Sequence, residues 1–140
     1  MHIQNITPAD DLYPAMKALR KKLFFGGRFL PENFDEQEKY NTLLIAVEDS
    51  RVVGCAVLTQ SGEGILARQI GVLPEYRGRG YGRQLIDACA DAVRKLGYHD
   101  MHVFAYPDSV EFYKKCGFTG VGDWNNLTAP QPTLMMKKYF

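Results

Sequence analysis

The sequence predicts a single domain of the mixed α/β (α+β) class spanning residues 1–140, and three observations carry that expectation. A chain of 140 residues with 46% hydrophobic content can build one core and has little room for a second. Strand-like runs and segments of helical period are interspersed along it. Met101 to Tyr106 reads as a fully apolar strand buried on both sides, which places it inside a sheet covered by helices.

His2 to Ile6 is a short strand. Thr7-Pro8 followed by Asp10 reads as an N-cap, a proline in the first turn and an acid at N3, so a helix follows. Its inward stripe is Leu12, Met16, Leu19 and Leu23, and Lys17, Arg20, Lys21 and Lys22 form a solvated face. Phe24 to Asn41 mixes a Gly-Gly break, a proline and acids with phenylalanines, giving a loop and a short helix near Pro31 to Tyr40. Leu43 to Glu48 and Val52 to Thr59 are β-rich runs around Asp49-Ser50-Arg51, a hairpin by turn chemistry. Ser61 to Gly64 is the next turn and Ile65 to Leu73 the next strand. From Gly82 the period changes: Leu85, Ile86, Cys89, Val93 and Leu96 mark one helix face, ended by Gly97 at C′. After the apolar strand, Asp108 and Glu111 open a short helix through Cys116, and Phe118 to Phe140 supplies one or two strands, centred on Leu134 to Met136.

The formal charge is +1, from 17 basic and 16 acidic residues, so no global field favours nucleic acid or an anionic membrane, and neither is expected as a partner. The N-terminus lacks the basic and apolar regions of a secretory signal, and no run approaches membrane-spanning length. Cys55, Cys89 and Cys116 are odd in number and fit no metal spacing. A cytoplasmic protein without a metal is expected.

The segment Glu75 to Leu85, EYRGRGYGRQL, stands between a strand and a helix. Glycine removes the Cβ that keeps other atoms off the main chain, and free N–H groups at a helix start converge on one point. Arg77, Arg79 and Arg83 add positive charge, so the segment is a phosphate site. A Walker A loop needs lysine and then serine or threonine after the last glycine, whereas Arg83-Gln84 follows Gly82. A dinucleotide turn needs G-x-G-x-x-G, whereas Gly78, Gly80 and Gly82 give G-x-G-x-G.

The run Arg77-Gly78-Arg79-Gly80-Tyr81-Gly82 resembles the acetyl-coenzyme A turn of the GNAT superfamily of N-acetyltransferases. Ile70 to Tyr76 matches the strand that leads into that turn, and Phe112-Tyr113-Lys114-Lys115-Cys116-Gly117-Phe118 resembles the family's FYxxxGF element. The resemblance implies a mixed, mostly antiparallel sheet of six to seven strands, about four flanking helices, and a cleft between the fourth and fifth strands. It implies acetyl-CoA as co-substrate. Amides of Arg77, Gly78, Arg79, Gly80, Tyr81, Gly82 and Arg83 would hold its pyrophosphate, and the backbone of Ile70 and Val72 its pantetheine arm. Tyr106 stands where many members place an asparagine that touches the cofactor.

The activity implied is acetyl transfer to a primary amine by direct attack. Tyr113 is the expected proton donor to the departing thiolate, because a phenol stays protonated at neutral pH. A backbone N–H near Val72 would face the oxyanion. Many relatives carry a glutamate midway along the strand before the turn, but Leu66 and Ala67 stand there, with Glu63 and Gln69 nearby, so no base is assigned. This gap leaves a second reading, a non-catalytic acyl-CoA-binding regulatory module.

Glu32, Asp35, Glu36 and Glu38 fall where the family builds its acceptor wall, and equally read as a solvated helix face. His102, inside a strand, reads as a core residue. The acceptor, a small-molecule or peptide amine, is open among polyamines, aminoglycosides, amino acids, sugar amines and protein termini. Many members are dimers, so a homodimer is an expectation by resemblance.

Overall fold

The computed structural model describes residues 1–27, 30, 31, 33–62, 64–128 and 131–140. Its strands are β1 (His2–Ile6), β2 (Thr42–Glu48), β3 (Arg51–Ser61), β4 (Gly64–Val72), β5 (Asp100–Ala105), β6 (Thr119–Gly120) and β7 (Leu134–Tyr139). Its α-helices are α1 (Tyr13–Phe24), α2 (Phe34–Glu38), α3 (Tyr81–Lys95) and α4 (Val110–Lys115). The strands form one seven-stranded sheet in the order β1-β2-β3-β4-β5-β7-β6. Every pairing is antiparallel except β4 with β5.

The parallel pairing is the weak seam. It has a single register position, Leu66 opposite His102, and beyond it the two strands diverge. The cause lies in β4. Between Cys55 and Val57 of β3 the chain advances two residues, while their partners Gly71 and Arg68 are three apart, so β4 carries an extra residue. Gln69 sits in that bulge at φ 49°, a left-handed conformation that costs a non-glycine residue about 1 kcal/mol. Arg20 Nε donates to its side-chain Oε1 at 2.8 Å and Cys55 Sγ to its carbonyl at 3.4 Å, and these bonds hold it there.

The core lies along the middle of the sheet. Leu43, Ile45, Val53 and Val57 are fully buried, and Leu85, Ile86, Cys89 and Val93 of α3 close it from one side. Gly54 marks the tightest point, because a Cβ there would stand 3.1 Å from both the Gly71 carbonyl oxygen and Leu85 Cδ1. Gly54→Ala should therefore destabilise the fold by about 1–3 kcal/mol through overpacking. The check is a lower urea midpoint with an unchanged m-value.

Four expectations need correction. The first helix begins at Tyr13 rather than after Thr7, because Thr7 to Asp10 closes its own turn. The Asp10 amide donates to the Thr7 carbonyl at 3.0 Å, and Asp10 Oδ1 accepts from the Leu12 amide at 2.8 Å. Pro14 then occupies the first helical turn. The cationic face of α1 is not wholly solvated, since Arg20 is fully buried against Glu38. Leu96 follows α3 as its C-cap and is 53% exposed instead of packing inward. The strand β5 is buried on both faces only as far as His102, where it pairs with Leu66: Met101, Val103 and Ala105 are buried on one face, whereas on the other Phe104 is 47% exposed where β4 has turned away.

His102 reads correctly as a core residue. Burial, and then the charge of Lys137, hold its pKa below the usual 6.5. The folded chain therefore keeps it neutral while the unfolded chain protonates it, so stability is full above 6.5 and falls as the pH drops below that value. Urea midpoints should decline from pH 7 to pH 5, and His102→Gln should flatten that decline.

Candidate active site

The glycine turn lies at the open end of the seam. Gly78 and Gly80 have φ of 78° and 82°, values that let the chain reverse between β4 and α3. Gly80 is the N-cap of α3 and supplies no side-chain acceptor to its amides. The N–H groups of Tyr81, Gly82 and Arg83 have no intrahelical partner, so they point out with the positive end of the dipole.

These groups line a cleft of about 460 Å³. Of the residues named from the sequence, it brings together Ile70, Val72, Arg77, Gly78, Gly80, Tyr81, Gly82, Arg83 and Tyr113. Arg79 stands outside it, reaching Glu48 at 3.5 Å and covering the Tyr76 ring at 5.0 Å. Arg77 Nε turns back to the Val72 carbonyl at 3.0 Å, and the Tyr81 hydroxyl donates to Glu48 at 2.6 Å. Arg83 has no hydrogen bond or ion pair with the described residues, which leaves its charge to the cleft. Tyr76, Asp108, Ser109 and Phe112 also line the cleft; Tyr76 and Phe112 belong to the two motifs, which is their signal in the sequence.

Tyr113 is set by a local device. The α4 helix ends in a Schellman motif, with Gly117 at φ 93°, its amide on the Lys114 carbonyl at 3.0 Å, and the Phe118 amide on the Tyr113 carbonyl at 3.0 Å. This return packs the Phe118 ring edge-on against Tyr113 at 5.3 Å, and Phe112 flanks Tyr113 at 5.3 Å. The spacing of FYxxxGF thus clamps one ring between two others. The Tyr113 hydroxyl has no hydrogen-bond partner among the described residues. Burial, chiefly, pushes its pKa up to about 12.

Tyr113 also borders a second cleft of about 480 Å³ on the far side of the seam, formed by Phe24 of α1, Arg68 and Gln69 of β4, and Phe104 and Tyr106 at the end of β5. Tyr106 therefore stands in this cleft and not in the first.

The residues of the sequence-predicted acidic wall separate. Glu36 is exposed and pairs with Lys39 at 3.0 Å. Asp35 accepts from Lys17 at 2.9 Å and from the Tyr13 hydroxyl at 3.1 Å. Glu38 is 2% exposed and takes Arg20, Asn41 Nδ2 at 2.8 Å and the Tyr13 hydroxyl at 3.4 Å. Neither the solvated face nor the acceptor wall describes Glu38, because a buried network consumes it. Glu32 and Glu63 lie outside the described residues.

The family model for the acetyltransferase (GNAT) domain matches residues 39–120, from the end of α2 through the Tyr113 clamp. The chain belongs to the GNAT acetyltransferase family. A protein of Bacillus subtilis (strain 168) named "Putative acetyltransferase BSU40680" is 26% identical over 144 residues, covering 99% of this chain and 97% of its own. Among solved structures, Escherichia coli ElaA superposes with a TM-score of 0.81 at 18% identity, with 99% of both chains covered. A GNAT family acetyltransferase from Elizabethkingia anophelis with acetyl-CoA bound gives 0.80 at 16% identity, covering 99% of this chain and 97% of that one. These likenesses establish the GNAT fold for the seven strands and four helices described.

Proposed function

We propose that this chain is a single-domain, cytoplasmic N-acetyltransferase that moves acetyl from acetyl-CoA to a primary amine by direct attack. One observation carries the reading: Tyr113, its hydroxyl protonated and without a hydrogen-bond partner among the described residues, lines both the helix-mouth cleft and the second cleft. Acetyl-CoA bound to the Elizabethkingia anophelis relative supports the co-substrate.

The co-substrate would supply an activated acyl carbon as its thioester. Amides of Gly78 to Arg83, with the Arg83 side chain, would hold the pyrophosphate. The divergent strand edge at Ile70 and Val72 would pair with the amide-bearing arm, as another strand would. The amide of Val72 would face the developing oxyanion. The acceptor nitrogen forms the C–N bond as the C–S bond breaks and the electron pair leaves on sulfur. Tyr113 gives its proton to that sulfur, and solvent takes the surplus proton from nitrogen and restores the phenol. No base is assigned, since a neutral amine needs none before attack.

The test pairs calorimetry of acetyl-CoA binding with thiol release across a panel of amines. Saturable binding and amine-dependent thiol release are expected. Binding without release for any amine would favour the regulatory module, and no binding would remove both readings.

A further inference from the structure

We propose that the acceptor is an amine that also carries a carboxylate, with an apolar or aromatic side group, and that Arg68 selects it. The inference rests on the acetyl-transfer reading and names the substrate class of that same site.

The second cleft is where an acceptor would meet Tyr113, and its composition is one-sided. Leu23, Phe24, Leu66 and Phe104 give it apolar and aromatic walls, and Arg68 is the charged side chain among its described lining residues. No described carboxylate faces it. Arg68 is half-buried, and its Nε donates to Thr59 Oγ1 at 3.0 Å, which pins one edge of the guanidinium. The terminal nitrogens have no partner among the described residues.

The surrounding charges balance Arg68 only in part. Glu38, the acid whose charge reaches Arg68, is itself paired with Arg20. Arg20 is itself short of acceptors, since its Nη2 is buried without a hydrogen bond among the described residues. Burial and the positive charge of Arg20 press against the charge of Arg68 and the Glu38 carboxylate offsets them only in part, so its pKa lies below the usual value, yet a guanidinium stays protonated under such pressure. An anion entering this cleft would relieve an existing electrostatic cost. A carboxylate also fits chemically, because the free fork of an arginine offers it two parallel hydrogen bonds.

The same wall works against the other acceptors of the family. A polyamine or an aminoglycoside brings several ammonium groups, and placing one beside Arg68, in a cleft with no carboxylate among its described lining residues, is repulsive. Selection therefore comes from both attraction and exclusion. The acidic wall expected from the sequence would have indicated the reverse preference.

The experiment compares phenylalanine with phenylalaninamide and phenethylamine, leucine with leucinamide, and all of these with spermidine, as kcat/KM at saturating acetyl-CoA. The amino acids should exceed their counterparts that lack the carboxylate by roughly 10- to 100-fold, as a charged hydrogen bond would give. Arg68→Gln should abolish the preference mainly through KM, and Arg68→Lys should keep part of it. Circular dichroism and urea midpoints confirm that both variants fold. A second arm needs no turnover: calorimetry of N-acetylphenylalanine against its amide, with coenzyme A present, should show the same preference and the same loss in Arg68→Gln. The inference is overturned if the amides, phenethylamine or spermidine react as well as the amino acids, if Arg68→Gln keeps the preference, or if neither product analogue binds. The two readings fail separately. Turnover without preference sinks the acceptor class and keeps acetyl transfer, whereas discrimination in binding without turnover sinks acetyl transfer and keeps the role of Arg68.

Discussion

Tyr113→Phe is expected to lower kcat for acetyl transfer by about 10²–10⁴-fold while leaving acetyl-CoA affinity nearly unchanged. The substitution removes one oxygen and keeps the ring that Phe112 and Phe118 hold edge-on, so the clamp survives and only the proton is lost. The effect belongs in kcat because the leaving thiolate needs the proton after the acceptor is bound. The raised phenol pKa adds a second signature. With Tyr113 at about 12, the wild-type rate should show no alkaline fall from its ionisation up to pH 10. Pre-steady-state thiol release and a pH profile of both proteins would check this. An unaffected variant would remove the proton-donor role.

Glu38→Ala is expected to destabilise the protein by about 3–5 kcal/mol, the largest effect on stability. Arg20 is fully buried, and losing its carboxylate would strand a guanidinium that already has one nitrogen without a partner among the described residues. The Tyr13 hydroxyl and Asn41 would lose an acceptor as well. Removing both charges is a different perturbation. The double variant Arg20→Met/Glu38→Leu should recover most of the loss, because the desolvation cost disappears with the pair. It should also loosen Gln69, whose side chain Arg20 holds, so kcat should fall even where stability returns. Urea unfolding of the single and double variants gives the first comparison, and initial rates give the second. A double variant as unstable as the single would show that the ion pair itself stabilises the fold.

What was legible in the sequence was local. The α3 helix announced itself because its stripe, its N-terminal glycine and its C-terminal Gly97 lie within one continuous stretch, and the Asp49-Ser50 hairpin likewise. The Phe112 to Phe118 segment was legible because its ring clamp and its helix stop are the same seven residues. What stayed hidden depends on partners far along the chain. Arg20 looks solvated on a helical wheel, and becomes interior only when Glu38, 18 residues later, arrives beside it. The bulge at Gln69 leaves no mark in composition, since glutamine does not signal a positive φ. Phe104 read as core because a strand of apolar residues does not record whether its neighbour runs alongside or departs. Arg68 was passed over for a related reason. Its meaning depends on which acids are already taken, and that is decided by packing between α1 and α2.

The divergence of β4 from β5 also bears on how such an enzyme can drift. An anchor built from peptide N–H and C=O groups at a strand edge and a helix mouth is common property of any residue except proline, so most single substitutions leave its hardware intact. The opposing walls, made of side chains such as Arg68 and Phe104, are open to replacement one at a time. A lineage with this architecture can therefore change its customer while keeping its supplier, and novelty in acceptor choice should concentrate on the side chains that α1, β4 and β5 turn to the second cleft.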